Sequence, residues 1–124
     1  MATGDGLAKL DGNALATIRS ISHGSDDLVR QVVASFADST PTLLQDIEAG
    51  LSGGDVERMR VAAHTLKSSA ASLGASALCD MARRLELAAR AGRLTSDLPS
   101  IVQLKGEFEA VCRALESTLN GAAQ

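Results

Sequence analysis

The 124-residue sequence has no Trp and no Tyr, and its whole aromatic content is two Phe. An apolar fraction of 45% must therefore be packed from Leu, Ile, Val, Met and many Ala. Small side chains let helices approach closely, whereas sheets draw on β-branched and aromatic residues, so this balance favours a helical bundle over a sandwich. Proline is also scarce, with two residues, and most glycines fall between periodic segments. There is no basic excess: the formal charge is −3 with acids and bases interspersed, which argues against a nucleic-acid surface. No apolar run approaches the roughly 20 residues that span a bilayer, and the start MATGDGLAKLDGN lacks a signal-peptide core, so no membrane is expected and the cytoplasm is the expected compartment. The two cysteines, Cys79 and Cys112, form no CxxC pattern and are read as reduced packing residues.

Helical periodicity fills almost all of the chain. A short first helix opens at Asp11, a good N-cap, and presents Leu15 and Ile18. Ser22-His23-Gly24-Ser25 reads as a turn, with Ser25 capping the next helix. From Val29 through Phe36, Thr40, Leu44 and Ile47 to Leu51, apolar steps of three and four pass Pro41 without losing phase. Two separate helices would have no reason to share that phase, so the spacing predicts one long helix, kinked near residues 37–41 and ended by Ser52-Gly53-Gly54. Asp55 caps a third helix running to about Leu73, with Gly74 as its stop and Met59, Ala62, Ala63, Leu66, Ala70 and Leu73 as its apolar stripe. A fourth helix opens at Ser76, carries Leu78, Met81, Ala82, Leu85 and Ala89, and ends at Gly92. A fifth opens at Ser96 or Asp97, tolerates Pro99 in its first turn, buries Leu104, Phe108, Val111, Cys112, Leu115 and Leu119, and closes at Asn120-Gly121. Short connections force antiparallel neighbours. The expected fold is all-α: an up-down-up-down antiparallel four-helix bundle with a short additional N-terminal helix. It is expected to be one domain over 1–124, with a core from about 10 to 119 and short flexible termini.

At 100° per residue, His64 lies about 160° from Leu66, the centre of the third helix's stripe, and so faces solvent. Its helical neighbours are Arg60, Val61, Lys67, Ser68 and Ala71. Arg60 and Lys67 put positive charge one turn to either side, which suits an anionic group. Ser68 and Ala71 leave open space, and Glu57 is two turns away. An exposed His among basic residues is also what an inert solvated face looks like, and these features alone do not separate the two.

The string Ala63-His64-Thr65-Leu66-Lys67-Ser68-Ser69-Ala70-Ala71-Ser72-Leu73-Gly74 closely resembles the signature of the histidine-containing phosphotransfer family: a His, Leu-Lys two positions on, small residues, and Leu-Gly at the helix end. Leu10-Asp11, Phe36 with Pro41, Gly54-Asp55 and Arg84-Leu85-Glu86 also look like the family's pattern, over roughly residues 10–119. The sequence departs from it at Ser68, where many members have Gly. Ser68 is either merely small enough or a hydroxyl that orients the imidazole or phosphate. The resemblance implies His64 as the phosphorylated residue and Lys67 as its electrostatic companion; Arg60 is added from spacing alone.

An imidazole with one neutral ring nitrogen is a competent phosphoryl acceptor near neutral pH. Phosphoryl transfer also asks for charge stabilisation, commonly by Mg²⁺. This chain shows no carboxylate cluster beside His64 and no Gly-rich phosphate loop, so no cofactor is expected on it and the Mg²⁺ is expected on the partner. By resemblance that partner is a response-regulator receiver domain, with a hybrid sensor histidine kinase upstream. The chain is then a monomeric carrier in a phosphorelay and not an enzyme. Two rivals stand beside this reading. One is a helical adaptor or dimerisation bundle without phosphotransfer, against which the intact His64, Lys67 and Leu73-Gly74 argue. The other is a metal bundle, but the second histidine, His23, falls in a loop and no Glu-x-x-His pair exists.

Overall fold

The structure, a computed structural model, describes residues 9–24 and 26–122. It contains five helices: α1 (Gly12–Ile21), α2 (Asp27–Gly53), α3 (Val56–Ser72), α4 (Ser76–Ala91) and α5 (Ile101–Ala122). Around the bundle α2 packs on α3, α3 on α4, α4 on α5 and α5 back on α2, with α1 laid against α2 and α3. Helices adjacent in sequence are thus adjacent in space, which is the arrangement short connections impose. Among the described residues no helix is long and apolar enough to cross a membrane.

The caps explain most boundaries. The Asp11 carboxylate accepts from the Asn13 N–H and the Asp55 carboxylate from the Arg58 N–H, each supplying an acceptor to an otherwise orphaned donor. Helix α2 runs unbroken through Pro41, as the conserved phase of its apolar steps predicts. Its N-cap position is Asp26, whose carboxylate is engaged by Arg19 at 2.7 Å; Ser25 lies outside the described residues, as do the outermost termini at 1–8 and 123–124. Helix α4 begins one residue earlier than a Ser76 cap implies, with Ala75 as its N-cap and Ser76 inside. The start of α5 is the larger correction. Ser100 Oγ accepts from the Gln103 N–H, and Gln103 Oε1 accepts from the Ser100 N–H, so a reciprocal capping box sets the start at Ile101. Pro99 therefore precedes the helix, and Ser96 and Asp97 belong to the connection. At its far end α5 continues through Gly121 to Ala122.

Every residue of the predicted α3 stripe is buried, and it meets Val29, Phe36, Leu44 and Ile47 of α2 and Leu78, Ala82, Leu85 and Ala89 of α4. On α5, Leu104, Val111, Leu115 and Leu119 are buried, while Phe108 and Cys112 are partly covered at the edge of the core. Phe36 and Phe108 tie α2 to α5 with ring centroids 5.4 Å apart. Cys79 and Cys112 are both free.

The Leu73-Gly74 stop has two physical reasons. Gly74 has φ +74, and a Cβ there would lie 2.5 Å from the Asp11 carbonyl oxygen. The Gly74 carbonyl in turn accepts from the Asp11 N–H at 2.8 Å, docking α1 on the end of α3. Gly50 has a different role, closing α2 onto α3: a Cβ at that position would stand 2.3 Å from Met59 Cβ. Ala is the better helix former by about 1 kcal/mol, but Met59 Cβ is the root of its side chain and moves only with the α3 backbone. Gly50→Ala should therefore destabilise the protein by roughly 1–3 kcal/mol through overpacking. Thermal melting checks it; an unchanged or raised midpoint would mean that α2 and α3 are not in such close approach.

Candidate phosphotransfer site

His64 is carried mid-way along α3, on the side away from Leu66, and its side chain is 54% exposed. Leu66 is fully buried two residues on, so the stripe that anchors α3 also fixes the direction of the imidazole. What the spacing along α3 does not reveal comes from α4. Glu86 Oε2 lies 2.8 Å from His64 Nδ1, and the Glu86 side chain is only 3% exposed. The same carboxylate receives Lys67 Nζ on Oε1 at 2.7 Å and Arg90 on Oε2, from Nη2 at 2.9 Å and Nε at 3.2 Å. Three donors thus converge on one buried carboxylate.

Burial of a lone carboxylate favours its neutral form, but here charge pairing wins. The hydrogen bond from Lys67, with those from Arg90 and His64, outweighs desolvation and holds the Glu86 carboxyl down at about 2. Glu86 is therefore an anion at any physiological pH, and the nitrogen facing it is the one that carries hydrogen. The neutral ring then keeps its lone pair on Nε2.

The sequence-predicted residues separate into two groups. Lys67 joins His64 on Glu86, 31% exposed and one turn away. Arg60 is engaged elsewhere: its Nη2 and Nε reach Glu57 Oε2 and Oε1 at 2.5 and 2.8 Å, a two-point pair on the outside of α3. Ser68 is exposed one turn beyond His64, and its backbone carbonyl accepts from the Ser72 hydroxyl. Glu86 and Arg90 are the residues that the α3 motif did not bring in, although Glu86 belongs to the Arg84-Leu85-Glu86 string. Exposed Val61, on α3, and exposed Leu87, next to Glu86 on α4, add apolar surface near the ring. Among the described residues no three His, Cys, Asp or Glu side chains gather as a metal site, and His23 sits in the turn after α1 with φ 59.

An all-α bundle with a half-exposed histidine midway along one helix is the arrangement of a histidine phosphotransfer domain, and here a buried carboxylate of the next helix stands behind that histidine. The family model of the Hpt domain matches residues 31–122, and the chain belongs to that family, whose members carry phosphoryl groups in two-component phosphorelays. The fold is similar to the crystal structure of histidine-containing phosphotransfer protein B (HptB) from Pseudomonas aeruginosa PAO1, with a TM-score of 0.76 and 27% sequence identity over 88% of this chain and 92% of that one. No curated protein matches the sequence.

Proposed function

We propose that this domain carries its phosphoryl group on Nε2 of His64, accepting it from the aspartate of one receiver domain and delivering it to another. The observation that carries this reading is the 2.8 Å bond between His64 Nδ1 and buried Glu86, on a ring otherwise open to solvent. An Nδ1–H facing the Glu86 anion supports an Nε2 lone pair directed outward, where an approaching acyl phosphate meets it in line. Receiver and kinase partners supply the Mg²⁺ and most of the charge stabilisation, so the chain is a carrier and not an enzyme. The partners, a receiver domain and a hybrid sensor kinase, place the work in the cytoplasm. A monomer suffices, because one bundle provides His64, Lys67, Glu86 and Arg90 together. Incubation with a phosphorylated receiver, followed by mapping of acid-labile phosphate, tests the reading. Label must appear on His64, at Nε2; label elsewhere, or none with any receiver of a broad panel, would refute it.

Lys67→Ala should slow transfer from a phosphorylated receiver without abolishing it. Lys67 is the cation one turn from the ring, but the partner brings its own metal and cation, and Arg90 stays on Glu86. Arg60→Ala should act more weakly, since its guanidinium is already neutralised by Glu57. Initial transfer rates at low and high salt check both; equal rates for wild type and both mutants would remove the electrostatic role of these side chains.

A further inference from the structure

The groups facing the imidazole can be counted by element. Helix α4 presents Glu86 and Arg90 and α3 presents Lys67, while Arg60 and Glu57 pair with each other on the outside of α3 and add no net charge. With a neutral ring, Lys67 and Arg90 against Glu86 leave one positive charge in excess. A phosphoryl group brings close to two negative charges near neutral pH. Loading Nε2 therefore reverses the sign of the field in which the ring sits. In the unloaded ring Nδ1 lies 2.8 Å from a carboxylate that is almost wholly removed from water, where attraction between opposite charges is weakly screened.

We propose that Glu86 keeps the phosphorylated ring of His64 protonated at Nδ1, so that the phosphoryl group enters and leaves Nε2 without any proton being moved. This rests on the reading of His64 as the carrier. In loading, the Nε2 lone pair forms the N–P bond while the P–O bond to the donor aspartate breaks and its electron pair leaves with the carboxylate. The Nδ1–H stays where it is, and the ring takes up a positive charge beside Glu86. In unloading, a carboxylate oxygen of the acceptor aspartate forms the new O–P bond, the N–P bond breaks, and its electron pair returns to Nε2. The leaving group is then neutral imidazole. Had the loaded ring lost its Nδ1 proton, the leaving group would be an imidazolate, a far stronger base, or a proton would have to be delivered during the transfer. Glu86 is thus a positioning residue that acts through the ring and keeps the N–P bond reactive in both directions. Its own carboxyl, held at about 2 chiefly by Lys67, stays ionised throughout.

The test uses the full chain, phosphorylated with the small-molecule donor phosphoramidate, with the ¹⁵N and ³¹P signals of the phosphohistidine followed from about pH 6 to about pH 10. The wild-type ring should lose its Nδ1 proton at least about one pH unit above free Nε2-phosphohistidine, the shift expected for an opposite charge in contact. Glu86→Gln retains an oxygen to accept from Nδ1–H but not the charge. It should still label at Nε2, titrate close to the free compound, and lose transfer rate to a receiver about tenfold per pH unit above its own midpoint, whatever its rate below it. Superimposable titrations of wild type and Glu86→Gln overturn the proposal. So does a wild-type titration at the free value, which decides the matter alone if the variant does not fold. A labelled but unshifted wild type removes only this proposal; a wild type that takes no label on His64 removes the carrier reading as well.

Discussion

His64→Gln should abolish phosphoryl acceptance while leaving the fold essentially as stable as before. The loss is complete because the lone pair of the Gln amide nitrogen is delocalised into its carbonyl and cannot attack phosphorus, and no second histidine lies on this surface; His23 is in the turn after α1. Stability is spared for two reasons. The side chain is 54% exposed, so little apolar burial is lost, and the Gln amide supplies an N–H that can replace the Nδ1–H bond to Glu86. Glu86 also keeps Lys67 and Arg90, so no buried charge is stranded. The expected change is within roughly 0.5 kcal/mol, as for surface positions in general. Labelling from a phosphorylated receiver and a thermal melt on the same preparation check both halves. A mutant that still labels would place the phosphoryl group on another residue. A mutant that unfolds would make His64 a structural member of the Glu86 cluster first and a carrier second.

The helices were legible in the sequence because each reports on itself. Apolar steps of three and four need only one element to be seen, which is why α2 could be read straight through Pro41 and why every member of the α3 stripe is buried. Asp11 and Asp55 are caps that act within three residues of themselves. The α5 start was misread for a related reason: Ser96, Asp97 and Ser100 are all acceptable caps, and Pro99 is compatible with a first turn. The arbiter was Gln103, three residues after Ser100, which completes a reciprocal box that neither of the earlier candidates forms.

The site was half legible. His64 and Lys67 share one helix, and their spacing alone makes them neighbours. Glu86 stands 22 residues away on another helix, and nothing in the α3 string points across that gap. A signal for it did exist in α4. At 100° per residue Glu86 lies about 40° from Ala82 and about 60° from Ala89, inside the arc of the apolar stripe. An acid in such a position is buried, and a buried acid needs donors. Arg90, one turn on, supplies one; α3 had to supply the others, and His64 with Lys67 is the only imidazole–ammonium pair at that level. Arg60 shows the converse limit. Spacing put it beside His64, but Glu57, three residues before it, was an equally near partner and takes the guanidinium by two bonds.

Leu66→Ala should have the opposite profile to His64→Gln: a large loss of stability with the phosphotransfer chemistry of the folded protein intact. Leu66 is fully buried and central in α3, the helix that packs on both α2 and α4. Removing three carbons from a close-packed site costs the lost transfer free energy plus a cavity term, about 2–5 kcal/mol. For a domain of this size that is a fall in melting temperature of roughly 8–20 °C. The surroundings can collapse only in part, because the neighbours along α3, Ala62, Ala63 and Ala70, are small already and have no length to extend into the space. Yet Leu66 points away from the imidazole, and Glu86 is held from α4 by Lys67 and Arg90. Well below the melting transition, the folded fraction should accept phosphate on His64 at close to the wild-type rate. Melting curves and cold labelling kinetics separate the two effects. Wild-type stability would mean that α3 has been rotated about its axis from the orientation described. A stable mutant with slow labelling would mean that Leu66 acts on the imidazole directly, and not through the packing that aims it.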